Sequence, residues 1–95
     1  MQLIRSFADQ RTVRLFVGTR VRGMHPELQR RARVKLRELD IAANLDDLAS
    51  RRGNRLEKLT GDQHGQWSIR VSGQWRICFV WSGTDAFDVW FGDYH

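Results

Sequence analysis

Hydrophobic and polar residues alternate strictly along the last third of the chain. Apolar side chains take every second position in three runs: Trp67, Ile69 and Val71; Trp75, Ile77, Phe79 and Trp81; and Phe87, Val89 and Phe91. A period of two places such residues on one face of a β-sheet. Turn-forming residues separate the runs at Ser72-Gly73 and at Ser82 to Asp85. The pattern therefore predicts three antiparallel strands in a meander, with these apolar side chains on the core face.

The first half of the chain has a helical period instead. Its longest apolar stripe is spaced by four, four, three and four residues, through Leu28, Ala32, Leu36, Leu39 and Ala43. This spacing predicts one buried face of a helix that begins at Pro26, since proline is favoured in the first turn. A shorter helix before it is expected to run to about Val17, with Ser6 or Asp9 as its N-cap and Gly18 at its end.

Two shorter segments complete the expected fold. Residues 3–7 and 55–59 have strand character, and Leu45 and Leu48 suggest a short helical turn. The order of elements predicts one α+β domain over residues 1–95, with an antiparallel sheet of about four to five strands and two N-terminal helices packed on one face.

The charge of the chain is strongly positive. Sixteen basic residues oppose eleven acidic ones, which gives +5, and all the bases except Lys35 and Lys58 are arginines. Arginine suits phosphate because its planar fork donates two hydrogen bonds at once, so a polyanionic partner is expected. The long helix is expected to carry one basic outer face, which is either solvated or opposes an acidic helix or an RNA backbone. That face comprises Arg30, Arg31, Arg33, Lys35 and Arg37.

Several classes of function find no support in the sequence. No run approaches the roughly 18 apolar residues of a membrane span, so no membrane partner is expected. The single cysteine, Cys78, has no partner for an internal disulfide, and a cytoplasmic location is the default. The histidines are scattered without metal-ligand spacing, so an enzyme of this sequence is expected to work without metal or cofactor.

Two groups of residues carry candidate chemistry. The chain closes on Asp93-Tyr94-His95, which is either a frayed end or an acid–base group, since histidine titrates near neutral pH. Arg76 lies on the polar alternation of a central strand. It either pairs with Asp88 on the neighbouring strand or clamps a phosphate and stabilises charge in a transition state.

The motifs as a set resemble a known family. The run from Asn54 to Trp81, NRLEKLTGDQHGQWSIRVSGQWRICFVW, the opening IRSF and the terminal DYH are similar to the HigB toxins of the RelE superfamily. The resemblance covers nearly the whole chain. It implies a RelE-like fold and a ribosome-dependent mRNA endonuclease that needs no metal, in which the ribose 2′-OH attacks the adjacent phosphate. The implied partners are the 70S ribosome, mRNA and a HigA-like helix-turn-helix antitoxin, through which alone the toxin reaches operator DNA.

The resemblance also assigns roles to residues. Arg76 matches the phosphate-binding arginine, and Asp93, Tyr94 and His95 match the rest of the active site. Some HigB-like toxins have a histidine and a lysine before Gly61-Asp62, where this chain has Glu57 and Thr60. Glu57 is therefore expected either to replace the histidine in acid–base catalysis or to pair with a neighbouring arginine. Apart from the resemblance, the charge of five further residues predicts that they bind RNA: Arg51, Arg52, Arg55, Lys58 and Arg70.

The alternative hypothesis is a non-catalytic module that binds RNA, the ribosome or the antitoxin with little or no cleavage. Both hypotheses account for the +5 charge and the aromatic sheet. They differ in what Arg76 and His95 do.

Overall fold

A computed structural model describes residues 3–59 and 65–93. Within these residues the chain forms the helices α1 (Gln10–Val17), α2 (Pro26–Ile41) and α3 (Leu45–Ser50). The strands β1 (Glu57–Lys58), β2 (Gln66–Ser72), β3 (Trp75–Ser82) and β4 (Asp85–Asp93) follow, and they form an antiparallel sheet in the order β1-β2-β3-β4. The predicted α+β fold and the predicted meander are confirmed.

The first helix begins and ends where the sequence predicts, and α2 begins where it predicts. Asp9 caps α1 by accepting a hydrogen bond from the Thr12 amide, and Gly18 ends α1 in the left-handed conformation that glycine favours. Pro26 opens α2, and the side chain of His25 before it accepts from the Glu27 amide.

One buried cluster joins the helices to one face of the sheet. Register places Ile69, Ile77 and Phe91 side by side across β2, β3 and β4, and each is fully buried. Leu36 and Leu39 of α2 belong to the same cluster. The helices therefore cover one face of the sheet, called here the helix face, and the opposite face is called the outer face.

A bulge in β4 corrects the predicted alternation. The pairing shifts by one residue between Cys78 and Val80, and Asp88 on the facing strand has a positive φ of 52°. Phe87 consequently pairs with Val80 on the outer face, so its prediction as a core residue is wrong. The extra residue returns Val89 to the core.

The predicted N-terminal strand is present only as two isolated bridges. Ile4 pairs with Ala86 and Phe7 with Val89, both in the parallel direction. The bulge lies between these two contacts, and there the Ser6 hydroxyl accepts a hydrogen bond from the Asp88 amide at 2.9 Å. Three residues separate the two bridges on each segment, so both bridges have the same register, and the Ser6 hydroxyl makes the contact between them.

The long helix also differs from the prediction at its end and on its surface. It stops at Ile41, so Ala43 lies beyond it and is exposed. Its bases do not form one solvated face, because Arg33 and Arg37 donate hydrogen bonds to the carbonyls of Leu15 and Phe16 in the last turn of α1. These carbonyls have no partner within their own helix, so the two arginines act as caps from the neighbouring helix.

Candidate active site

Arg76 lies on the outer face of the sheet, near the start of the inner strand β3. Register places it directly opposite Arg70 on β2 and Gly92 on β4. Its exposed fraction is 7%, which is very low for an arginine on a face without helices. Two arginines opposite each other repel, so this pair concentrates positive charge at one point of the sheet. Such a point favours an anionic ligand.

Protein acceptors hold the Arg76 guanidinium in one orientation. Its Nε donates to the Ser68 hydroxyl at 2.7 Å, and its Nη2 donates to the Arg55 carbonyl at 2.6 Å. A guanidinium carries five N–H donors; those on Nε and Nη2 fix its plane, and the two on Nη1 have no acceptor within residues 3–59 and 65–93.

The prediction that Arg76 pairs with Asp88 is wrong. Asp88 lies in the bulge of β4 and is exposed, and its carboxylate accepts from the Ser6 hydroxyl at 3.4 Å. Arg76 faces Gly92 instead, four residues further along β4. The register therefore separates Arg76 from Asp88 along the strand.

The loop before β1 presents the Arg55 carbonyl to Arg76. Arg55 has a positive φ of 46°, a conformation that non-glycine residues adopt rarely and that often marks a functional site. Asn54 is fully buried and anchors the loop, since its side-chain nitrogen Nδ2 donates a hydrogen bond to the Leu48 carbonyl at 3.0 Å. Its side-chain oxygen accepts from Lys35 Nζ of α2 at 2.5 Å.

Glu57 is the carboxylate closest to Arg76 among the described ion pairs. It pairs with Ser68 across β1 and β2, which places it on the same face as Arg76. Its Oε1 lies 4.0 Å from Nη2 of Arg76, and 58% of its side chain is exposed. A ligand held by the guanidinium therefore comes within reach of an accessible carboxylate.

The end of β4 runs beside Arg76 but divides its residues between the two faces. Gly92 lies opposite Arg76, whereas Asp93 pairs with Trp75 and so belongs to the helix face. The ring of Trp90 covers Gly92, and a Cβ at Gly92 would lie 2.6 Å from it. Only glycine fits there without moving the indole. Tyr94 and His95, also predicted for the site, lie outside the described residues.

Cys78 is buried on the outer face between Ser68 and Trp90. Burial raises the pKa of its thiol to about 11, and the charge of Arg76 opposes this shift only in part. The thiol therefore stays protonated at neutral pH and is a poor nucleophile.

Comparison of the sequence with those of known proteins identifies its family. Residues 5–95 match the model of the RelE-like toxins of the type II toxin–antitoxin system HigB. The chain belongs to this HigB-like toxin family.

Two curated proteins are similar to the chain. Endoribonuclease HigB of Proteus vulgaris is 32% identical over 93 residues, which is 98% of this chain and the whole of that protein. Toxin HigB-1 of Vibrio cholerae serotype O1 is 47% identical over 47 residues, half of each chain. These matches confirm the resemblance drawn from the motifs.

The basic residues assigned to RNA binding occupy different parts of this HigB-like toxin. Arg51 and Arg52 are exposed in the loop after α3, and Arg70 lies beside Arg76 and donates to the Gly73 carbonyl at 3.3 Å. Arg55 is exposed and contributes its carbonyl to the site. Lys58 is separated from Arg76, because it pairs with Trp67 towards the helix face, its ammonium 5.9 Å from the indole centroid.

Two residues of the site were missed by sequence reasoning. Ser68 holds the guanidinium, and its signal was a polar residue on the same alternation as Arg70 and Arg76. Asn54 anchors the loop, and it opens the NRLE motif on which the resemblance rested. Within residues 3–59 and 65–93, no group of three His, Cys, Asp or Glu side chains is arranged to hold a metal ion. None of the helices there is long and apolar enough to cross a membrane.

Proposed function

We propose that this HigB-like toxin is a ribosome-dependent endonuclease that cleaves mRNA. Its Proteus vulgaris relative, which matches it over the whole length, is an endoribonuclease by name. The single observation that carries the proposal is the buried Arg76, which is fixed by Ser68 and Arg55 and whose Nη1 has no acceptor among the described residues. An arginine held in this way binds a phosphate and stabilises the charge that develops on it.

The reaction begins with attack of the ribose 2′-OH on the adjacent phosphorus. The new P–O bond closes a 2′,3′-cyclic phosphate, and the bond to the 5′-oxygen of the next nucleotide breaks. One group must accept the 2′ proton and another must give a proton to the leaving oxygen. Because the nucleophile belongs to the RNA, the protein has no need of a metal-bound water. The guanidinium of Arg76 stabilises the negative charge on the oxygens of the pentavalent intermediate.

Glu57 and His95 are our candidates for the two proton transfers. Glu57 lies beside the guanidinium with its carboxylate accessible, which supports it as the base. His95, an acid–base candidate from the sequence, is then left to protonate the 5′-oxygen. Asp93 is proposed to orient His95, and Tyr94, whose reference pKa is near 10, to stack on a base or donate a hydrogen bond.

The proposed partners follow from the family and the charge. Type II toxins of this family act with an antitoxin, and we propose a HigA-like helix-turn-helix protein that brings operator DNA to the complex. We assign the exposed Arg51, Arg52 and Arg55, with Arg70, to binding of ribosomal RNA and mRNA. The proposed location is the cytoplasm, where ribosomes and antitoxin are present.

Cleavage of a defined mRNA with and without purified 70S ribosomes tests this function. The proposal expects cleavage only in the presence of ribosomes, and inhibition when the antitoxin is added. A protein that binds ribosomes but does not cleave the mRNA would instead favour the alternative hypothesis of a non-catalytic binding module.

A further inference from the structure

A groove crosses the helix face at the end of the sheet where β3 begins. It consists of two adjoining cavities of about 360 Å³ each, which share His25, Leu28 and Trp75. We call it the Trp75 groove and define it by these three residues together with Arg11, Arg22 and Arg31. None of these residues has a part in the site around Arg76.

Trp75 presents a fixed aromatic surface in this groove. Its ring stacks on Phe91 with centroids 5.1 Å apart and planes inclined by 11°. Phe91 is fully buried, and the Arg11 guanidinium lies over it at 5.8 Å and also donates to its carbonyl. The indole is therefore held by the core on one side while its other parts line the groove. This indole is thus already in a fixed position before a ligand stacks on it.

The walls of the groove are positively charged. Three arginines line it, and its one carboxylate among the described lining residues is Glu27. Arg30 and Arg31 both bind this carboxylate, and their hydrogen bonds lower its pKa to about 2. Arg30 and Arg31 thus already neutralise this carboxylate. The positive charges of Arg11 and Arg22 therefore attract an anion to the groove. Aromatic surface beside guanidinium groups suits a nucleobase with its phosphate.

The groove lies at the same end of the sheet as the site around Arg76, on the opposite face. Trp75 and Arg76 are consecutive in β3, so their side chains lie on opposite faces at the same end of the sheet. Across the strand pair, Gly92 faces Arg76 and Asp93 faces Trp75. A single strand of RNA that passes around this end therefore meets Arg76 with one phosphate and Trp75 with a neighbouring base.

We propose that the Trp75 groove is a nucleotide-binding subsite that stacks one base of single-stranded RNA beside the scissile phosphate. This inference rests on the proposed function, since it takes RNA as the substrate. A peptide segment of the antitoxin is the other class of occupant. The short separation from Arg76 along β3, the arginines of the groove and the stacked aromatic pair favour RNA, because stacking accepts any base and needs no deep apolar pocket.

Binding of a short 2′-O-methyl RNA at low salt tests the subsite without cleavage, since the RNA has no free 2′-OH. Trp75→Leu removes the stacking surface and is expected to weaken binding by roughly tenfold or more. Trp75→Phe keeps an aromatic ring and should retain most of the affinity. The matched control is Trp81→Leu, a change of the half-buried tryptophan at the other end of the same strand, outside the groove. It should bind RNA like the wild type.

A second variant keeps the test decisive if Trp75→Leu does not fold. Arg22 is exposed in the loop before α2, and Arg22→Gln is expected to lower the slope of log affinity against log salt by about one. Unchanged RNA binding in the folded variants would overturn the subsite. So would a wild type that binds no RNA, or a loss of antitoxin affinity alone, which would make the groove a protein-docking surface.

The outcomes separate this inference from the proposed function. A toxin that cleaves mRNA on ribosomes but binds 2′-O-methyl RNA independently of Trp75 and Arg22 would keep its function and lose the subsite. A toxin that binds RNA through Trp75 but never cleaves it would keep the subsite and lose the function.

Discussion

The carbonyl oxygen of Arg55 accepts a hydrogen bond from the Arg76 guanidinium at 2.6 Å. The donor lies in the central strand β3, and the acceptor lies in a strained loop that Asn54 fastens to α2 and α3. The two motifs therefore act together. The QWRICF motif supplies the cation of Arg76, and the NRLE motif supplies the Arg55 carbonyl that orients it. We therefore propose that orientation, and not charge alone, is the property of Arg76 on which cleavage depends.

Substitutions at Arg76 and Ser68 test that orientation. Arg76→Ala is expected to abolish cleavage and also to cost about 1–3 kcal/mol of unfolding free energy, because the buried Ser68 hydroxyl and the part-buried Arg55 carbonyl lose their donor. Arg76→Lys should restore charge but little activity, since one ammonium does not reproduce a planar fork. Ser68→Ala keeps the cation and should lower kcat with little change in ribosome affinity. Normal cleavage by folded Arg76→Lys would show that orientation is unimportant.

Glu57→Gln tests the proposed base. The amide keeps the size of the side chain but cannot accept the 2′ proton, so single-turnover cleavage should fall by roughly a hundredfold or more. Stability should hardly change, because this carboxylate is largely exposed. Asp46→Asn is the matched control, an exposed carboxylate in the first turn of α3. Equal rates for the two variants would mean that Glu57 only pairs with Arg76.

Deletion of His95 tests the last residue of the chain. It removes one imidazole and moves the terminal carboxylate to Tyr94, and it should cost little stability because terminal residues are usually poorly packed. Cleavage should nevertheless fall by about a hundredfold or more, with ribosome binding retained. His95→Gln is the companion variant. Wild-type rates in both would make His95 a bystander and leave the leaving-group acid to be found elsewhere.

The buried thiol of Cys78 predicts a loss of stability at alkaline pH. Its pKa rises from 9.0 to about 11 on folding, so the folded state holds a proton that the unfolded state releases. This contribution is complete below pH 9 and is lost as the pH rises from about 9 to about 11, by up to about 1.4 kcal/mol per pH unit. Denaturant unfolding at several pH values should show the loss in the wild type and a smaller one in Cys78→Ala. Parallel curves would contradict the assignment.

The elements that the sequence predicted are those with a strong local signal. The alternation from Trp67 to Trp81 and the spacing from Leu28 to Leu39 were long enough to define β2, β3 and α2. Phe87 was misplaced because the bulge at Asp88 depends on one backbone angle, and the alternation beside it gives no sign of it.

The partners of Arg76 show why the site was only partly predictable. Arginine on the polar alternation of a central strand was a visible signal, and the register brought Glu57 onto its face as the motifs suggested. Ser68 and the Arg55 carbonyl are eight and 21 residues away along the chain, respectively, so only the folded sheet brings them to the guanidinium. The basic residues of α2 were misjudged for the same reason, since Arg33 and Arg37 contact a different helix.

The most direct test of the account is single-turnover cleavage of an mRNA bound to purified ribosomes, compared with the same mRNA carrying one 2′-deoxy nucleotide immediately before the scissile phosphate. The account predicts that the wild type cuts the all-ribose mRNA at that phosphate and leaves the 2′-deoxy mRNA intact there, and that Arg76→Ala cuts neither. Equal cleavage of both mRNAs by the wild type would contradict attack by the 2′-OH and, with it, the role proposed for the site around Arg76.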